Sequence, residues 1–165
     1  GLSASELPTE LETMEGALAD LEDIRARAGV LMGLGDSVAE ISTTSRASPR
    51  VAVVAAPTDA DLLDGSILPA GDTDLSVRMI SMGQPHRAVP LTGGMCLAVA
   101  ANLSGSLVHR LARPNSDGTV RLGTPSGAIP IGATVLGAGG NSSVERITVY
   151  RTARRLMEGN ILVPA

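Results

Sequence analysis

Between Val77 and Leu103 the chain gathers most of the residues that could handle a small anion. Ser81, Gln84, His86 and Arg87 bring a hydroxyl, an amide, an imidazole and a guanidinium into one polar turn. Thr92-Gly93-Gly94 follows, and then a run from Met95 to Leu103 in which only Asn102 is polar. Threonine is a good N-cap, because its hydroxyl accepts a hydrogen bond from a free first-turn amide. Two glycines then leave those amides open to an approaching anion. The pattern predicts a helix over 93–103 whose partly positive start faces the polar turn. The chemistry is recognition of a carboxylate and stabilisation of negative charge building on it. The residues expected to touch a substrate are Ser81, Met82, Gly83, His86, Thr92, Gly93 and Gly94.

Other reactive side chains fit that task less well. Cys96 lies four residues past Thr92, where its side chain is expected to pack against the sheet, and a buried cysteine is usually inert. No catalytic residue is assigned within the chain, Cys96 included. His109 reads as a surface or satisfied histidine. Arg151, Arg154 and Arg155 suit carboxylate recognition chemically. Strand alternation sends Arg154 and Arg155 to opposite faces, so surface charge is their default reading. No Ser-His-Asp constellation has a persuasive spacing. No ligand cluster or phosphate loop is present, so no metal, nucleotide or flavin is expected.

Composition narrows the chemistry further. The 165 residues suffice for one domain with a real core. That core must be aliphatic, since Phe and Trp are absent and Tyr150 is the only aromatic residue. A formal charge of −4 offers nothing to attract nucleic acid or an anionic membrane. All 13 basic residues are arginine, so no lysine base or Schiff base can come from this sequence. A single cysteine excludes an intrachain disulfide and a zinc site built on clustered cysteines. No apolar run reaches membrane-spanning length and no signal pattern opens the chain, so a cytoplasmic location is expected. The chain opens at Gly1 without Met, as a processed, tagged or truncated fragment would.

The elements that must position the turn and helix can be read in order. Leu7, Leu11, Met14, Leu18, Leu21, Ile24 and Ala28 recur at steps of three and four. They predict one amphipathic helix from about Pro8 or Thr13 to Met32, packed outside the domain and stopped by Gly33 and Gly35. Asp36 should cap a short helix through Ile41, followed by a polar loop. Arg50 to Ala55 reads as a strand buried on both faces. Pro57 to Asp74 reads mostly as loop, and Leu75 to Met82 as the strand entering the polar turn. Leu107 to Leu111 is ambiguous between helix and strand. Thr119–Leu122, Ala128–Val135 and Val144–Arg151 read as strands, with a last strand at Arg155–Met157 turning into Ile161–Val163. An all-apolar helix needs cover on every side. The expected architecture is therefore α+β: a single domain over 1–165, with a helical lead-in and loop over 1–48. Over 49–165, a strongly curved, mostly antiparallel sheet wraps around the central helix.

Three stretches also resemble a known family. Ser81-Met82-Gly83-Gln84-Pro85-His86-Arg87-Ala88, Leu91-Thr92-Gly93-Gly94-Met95-Cys96 and the long run from Val149 to Gly159 are similar to the C-terminal half of PrpF-type methylaconitate isomerases. The opening Gly1 to Pro8 resembles the crossing into that half. The resemblance implies a diaminopimelate-epimerase-like fold of two similar halves, each a curved sheet around a central helix, with the active site between the helix starts. Related epimerases carry a Cys-Gly-Asn or Cys-Gly-Thr at each helix start. Here Thr92 stands in the place of that cysteine and cannot exchange a proton at neutral pH. The family implies a Lys and a Cys as acid/base pair in the first half. The implied function is the C-terminal domain of an allylic isomerase of small unsaturated di- or tricarboxylates such as 2-methylaconitate. It would supply carboxylate binding, with a missing N-terminal half, or self-association, completing the site. The chain alone is then expected to be inactive. The rival reading is a non-catalytic assembly module that pairs with a partner half or with itself.

Overall fold

The computed structural model describes residues 1–137, 139–150 and 152–160. Its centre is a sheet in which five strands follow the order β1-β4-β6-β7-β8. These are β1 (Val51–Ala55), β4 (Leu75–Ser81), β6 (Thr119–Thr124), β7 (Gly127–Leu136) and β8 (Ser143–Val149). A two-residue strand, β5 (Gln84–Pro85), pairs with β4. A separate small hairpin joins β2 (Ala60–Asp61) to β3 (Ile67–Leu68), within the stretch expected to be mostly loop. All pairings are antiparallel except β4 with β6. That parallel seam is stapled by a buried carboxylate. Asp74 accepts bonds from the Arg121 amide (2.8 Å), Nε (3.0 Å) and Nη2 (2.7 Å). Its own amide donates to the Arg121 carbonyl at 2.8 Å.

Every residue of β4 is buried, which makes it the spine of the sheet. β1 lies at the sheet edge and is half-buried throughout, not buried on both faces as expected. Helix α4 (Leu91–Asn102) lies against β6 and β7, with Leu97, Ala98 and Ala101 in one core with Leu75, Val77, Val120, Leu122 and Ile131. Asn102 ties its C-terminal end down, donating to the carbonyls of Ala98 and Gly118, both at 2.9 Å. Helix α5 (Leu107–Leu111) settles the ambiguous segment; His109 is half-buried there and its Nδ1 lies 2.7 Å from the Ala101 carbonyl oxygen.

The lead-in departs from a single helix. Gly16, at φ +76°, separates α1 (Pro8–Thr13) from α2 (Ala17–Leu31). A left-handed residue cannot continue a right-handed helix, and glycine adopts it without strain. Helix α3 (Val38–Thr44) is capped by the Ser37 hydroxyl, not by Asp36. Helix α2 is also rotated from the expected face. Arg25 is 2% exposed whereas Ile24 is 55% exposed. The cause is close packing on α3: a Cβ at Gly29 would stand 2.8 Å from Ile41.

Residues 152–160 carry no regular structure, so the strand expected at Arg155–Met157 is absent there. Leu156 and Met157 are almost fully exposed, and Arg155 pairs with Glu158 at 2.8 Å. Arg151 and the expected strand Ile161–Val163 lie outside the described residues.

The largest correction concerns cover around α4. The sheet covers one side only. Gly94, Leu97, Ala98 and Ala101 are buried, while Thr92 and Cys96 are exposed and Met95, Val99 and Ala100 half-buried. An apolar flank stays open, lined by Met95, Cys96, Val99, Ala100, Leu103 and Ile147.

Candidate functional site

Strand β4 delivers the polar turn. Ser81 pairs with Gln84, leaving Met82 and Gly83 as a two-residue hairpin connection, with φ of +55° and +76°. Positive φ at both centres is the turn whose twist matches the strands, and it favours Asn-Gly. Methionine is held there against its steric preference, a cost of about 1–2 kcal/mol. Met82→Asn should therefore raise stability by up to about 1 kcal/mol, read as a shifted denaturant midpoint at constant slope. A lowered midpoint would show that the Met82 side chain packs favourably where it stands. Such strain, at a tip that is 54% exposed, is the kind of outlier that accumulates at functional sites.

Beyond the turn, the His86 amide donates to the Met79 carbonyl at 2.8 Å, and the chain bends at Arg87 and Ala88 before reaching Pro90. Pro90 occupies the N-cap, so the helix starts at Leu91, two residues before the expected 93–103. Thr92 is therefore inside the first turn and does not cap it; no side chain caps this end. The Gly94 amide is spent on the Pro90 carbonyl at 2.9 Å. A Cβ at Gly94 would stand 2.6 Å from Ile131, so this glycine serves packing against β7. The amides left for an anion are those of Leu91, Thr92 and Gly93.

What faces that helix start is Arg50, at the entry to β1. Its Nη1 donates to the Thr92 hydroxyl at 3.4 Å. The two side chains open on a cleft of about 460 Å³, also lined by Pro49, Ala52, Met79, Gly93, Cys96, Leu97 and Ala100. One end is cationic and the rest apolar, with no carboxylate among the lining residues. His86 is held below its ordinary pKa, first by burial and then by the Arg50 charge beside it. Its imidazole is thus neutral at neutral pH and leaves Arg50 as the local cation.

The expected site residues are divided by the fold. Thr92 and Gly93 line the Arg50 cleft. Met82 and Gly83 line another, of about 480 Å³, with Glu22, Ser42, Thr43 and Arg46. Ser81 is buried in the sheet, 8% exposed, and Gly94 is buried under the helix. Arg50 was missed because a Pro-Arg step ahead of a β-branched run looks only like the start of a strand. Cys96 is exposed and lines the cleft, contrary to its expected burial, because α4 turns that flank away from the sheet. Cys96→Ser should accordingly change stability by less than about 0.5 kcal/mol in a denaturant titration. Among the described residues no group of three or more His, Cys, Asp or Glu stands ready to hold a metal, and no helix is long and apolar enough to cross a membrane.

The sequence model of the PrpF protein family matches residues 1–164. The chain belongs to the PrpF family. Two relatives are the 2-methyl-aconitate isomerase of Shewanella oneidensis, 35% identical over 164 residues, and the 3-methylitaconate isomerase of Eubacterium barkeri, 34% identical over 164 residues. The alignments cover 99% and 98% of this chain but 41% and 42% of those proteins. The crystal structure of a methylitaconate-delta-isomerase superposes with a TM-score of 0.84 at 32% identity, over 96% of this chain and 40% of that one. This PrpF chain therefore spans about two fifths of the length of the relatives it matches.

Proposed function

We propose that this PrpF chain is the carboxylate-binding part of an isomerase of small unsaturated di- or tricarboxylates such as 2-methylaconitate, with a diaminopimelate-epimerase-like half-fold. The observation that carries this reading is the meeting of Arg50 with the uncapped start of α4 at one end of an otherwise apolar cleft. A guanidinium and helix-start amides suit a carboxylate. The apolar walls suit the carbon skeleton of a methyl-substituted acid, and relatives named for 2-methyl-aconitate and 3-methylitaconate agree.

Moving a double bond in such an acid takes two proton steps. A base removes a proton from a carbon conjugated with a carboxylate, and an acid returns one at the far end of the allylic unit. Between them the carboxylate takes on enolate character. Donors aimed at that oxygen lower the barrier because their orientation is set before the charge develops. Arg50, with the Leu91–Gly93 amides and the Thr92 hydroxyl, would do this. Proton transfer would come from a companion portion that covers the open flank of α4 and closes the cleft.

Titration of 2-methylaconitate into the chain should move the amide signals of Leu91, Thr92 and Gly93. Arg50→Met should weaken binding roughly ten- to hundredfold, the loss of one charge-assisted contact. Unmoved signals at the helix start, or affinity unchanged in Arg50→Met, would sink the assignment.

A further inference from the structure

We propose that Arg25 is a positioning residue for Arg50, acting through the loop that joins α3 to β1; this rests on the reading of Arg50 as a carboxylate ligand. Arg25 reaches its task from α2 and is almost wholly buried. Glu22 takes its Nε and Nη2, each at 2.7 Å, which balances the buried charge. Those bonds are the main reason the Glu22 carboxyl is held below its ordinary range. The remaining donors point at backbone. Nη1 donates to the carbonyls of Ser45 (2.9 Å), Ser48 (3.2 Å) and Pro49 (3.4 Å), and Nη2 to that of Ile41 (3.4 Å). One planar guanidinium thus gathers the C-terminal end of α3 and the loop after it.

The Pro49 carbonyl is the decisive one. Pro49 shares its peptide unit with Arg50, so a grip on that oxygen sets the plane from which Arg50 leaves. From there Arg50 spans to Thr92, across the sheet edge. The exposed Ser48 shows that the loop lies at the surface, where water could otherwise take its carbonyls. A rigid fork of five donors can serve several carbonyls and a carboxylate together; an ammonium, with three donors at one point, cannot. Lysine at position 25 would keep the charge and release most of the loop.

The test is a cycle of variants in the 165-residue chain: Arg25→Lys, Arg50→Met and both together. Two readouts are followed, the nuclear Overhauser contact between the Arg50 side chain and Thr92, and the affinity for 2-methylaconitate. Arg25→Lys should lose the contact and bind about tenfold more weakly, yet add nothing once Arg50 is already Met. Contact and affinity both retained would overturn the proposal. So would an equal loss with and without Arg50, which a general weakening of the fold would produce. If Arg25→Lys does not fold, Glu22→Gln loosens the same anchor with the guanidinium kept, and the same outcomes decide. If the unaltered chain binds no 2-methylaconitate, the carboxylate assignment falls, and the Arg50–Thr92 contact alone decides whether Arg25 positions Arg50.

Discussion

Incubated with the 165-residue chain in deuterated water, 2-methylaconitate should take up no deuterium and keep its double bond in place, while still perturbing the start of α4. The expectation follows from a census of proton-transfer groups. There is no lysine in the sequence. The Thr92 hydroxyl is a donor for an oxyanion and too weak an acid to exchange a carbon-bound proton. His86 is neutral, but its side chain is not among the residues lining the cleft. The thiol of Cys96 lines the cleft a turn further along the helix, with no His, Asp or Glu among the other lining residues to work with it. A cleft with binding groups and no paired acid and base stabilises an intermediate that nothing generates. Proton NMR over days is a sensitive measurement of this. Deuterium incorporation that survives repurification, or migration of the double bond, would contradict the division of labour and move the acid/base roles to Cys96 and His86.

The largest effect on stability is expected at Gly118. It has φ +81°, and a Cβ there would stand 2.3 Å from the Ala133 carbonyl oxygen. Backbone cannot rotate aside as a side-chain end can. The same residue is where three parts of the fold join. Its carbonyl accepts from Asn102 at the end of α4 and from the Ala133 amide in β7, and its amide donates to Asn115. Gly118→Ala adds a left-handed penalty of about 1–2 kcal/mol to an overpacking cost of about 1–3 kcal/mol. For a chain of this size that lowers the melting temperature by roughly 10 °C. Gly65→Ala is the matched comparison, since Gly65 has φ +84° but nothing within 4 Å of its missing Cβ. It should show the conformational penalty alone. Equal losses at the two positions would mean that the Ala133 contact relaxes.

Some of this was legible in the residues and some could not be. The spine β4, a polar turn after it and the run of α4 follow from hydrophobic and polar patterning, and the structure has the strand and the helix within two residues of the expected bounds. The all-apolar composition of α4 announced a helix against the core but hid which stripe the sheet would take. Periodicity has no phase when every face is greasy, so Cys96 was placed on the wrong side. Thr92 looked like a cap because local rules rank threonine above proline there, whereas the helix begins at Leu91 with Pro90 at the cap, which leaves Thr92 inside the first turn. Arg50 and Arg25 were beyond local rules altogether. Arg50 faces Thr92 only because β1 pairs with β4, and Arg25 is buried only because α2 and α3 meet at Gly29 and Ile41.

The parallel seam also has a kinetic side. β6 and β7 close on each other through a two-residue turn, and β4 and β5 do the same at Met82-Gly83. Asp74 and Arg121 are 47 positions apart, with the whole of α4 and α5 in between. The chain must close that long loop before Leu75 can meet Leu122. The buried stripe of α4 gains its cover only when β6 and β7 are already joined beneath it. The two hairpins can thus form early and independently, and the encounter that brings Leu75, Ala98 and Leu122 together is the slow one. Weakening the seam should then slow folding, while changes in α1 to α3 should mainly speed unfolding.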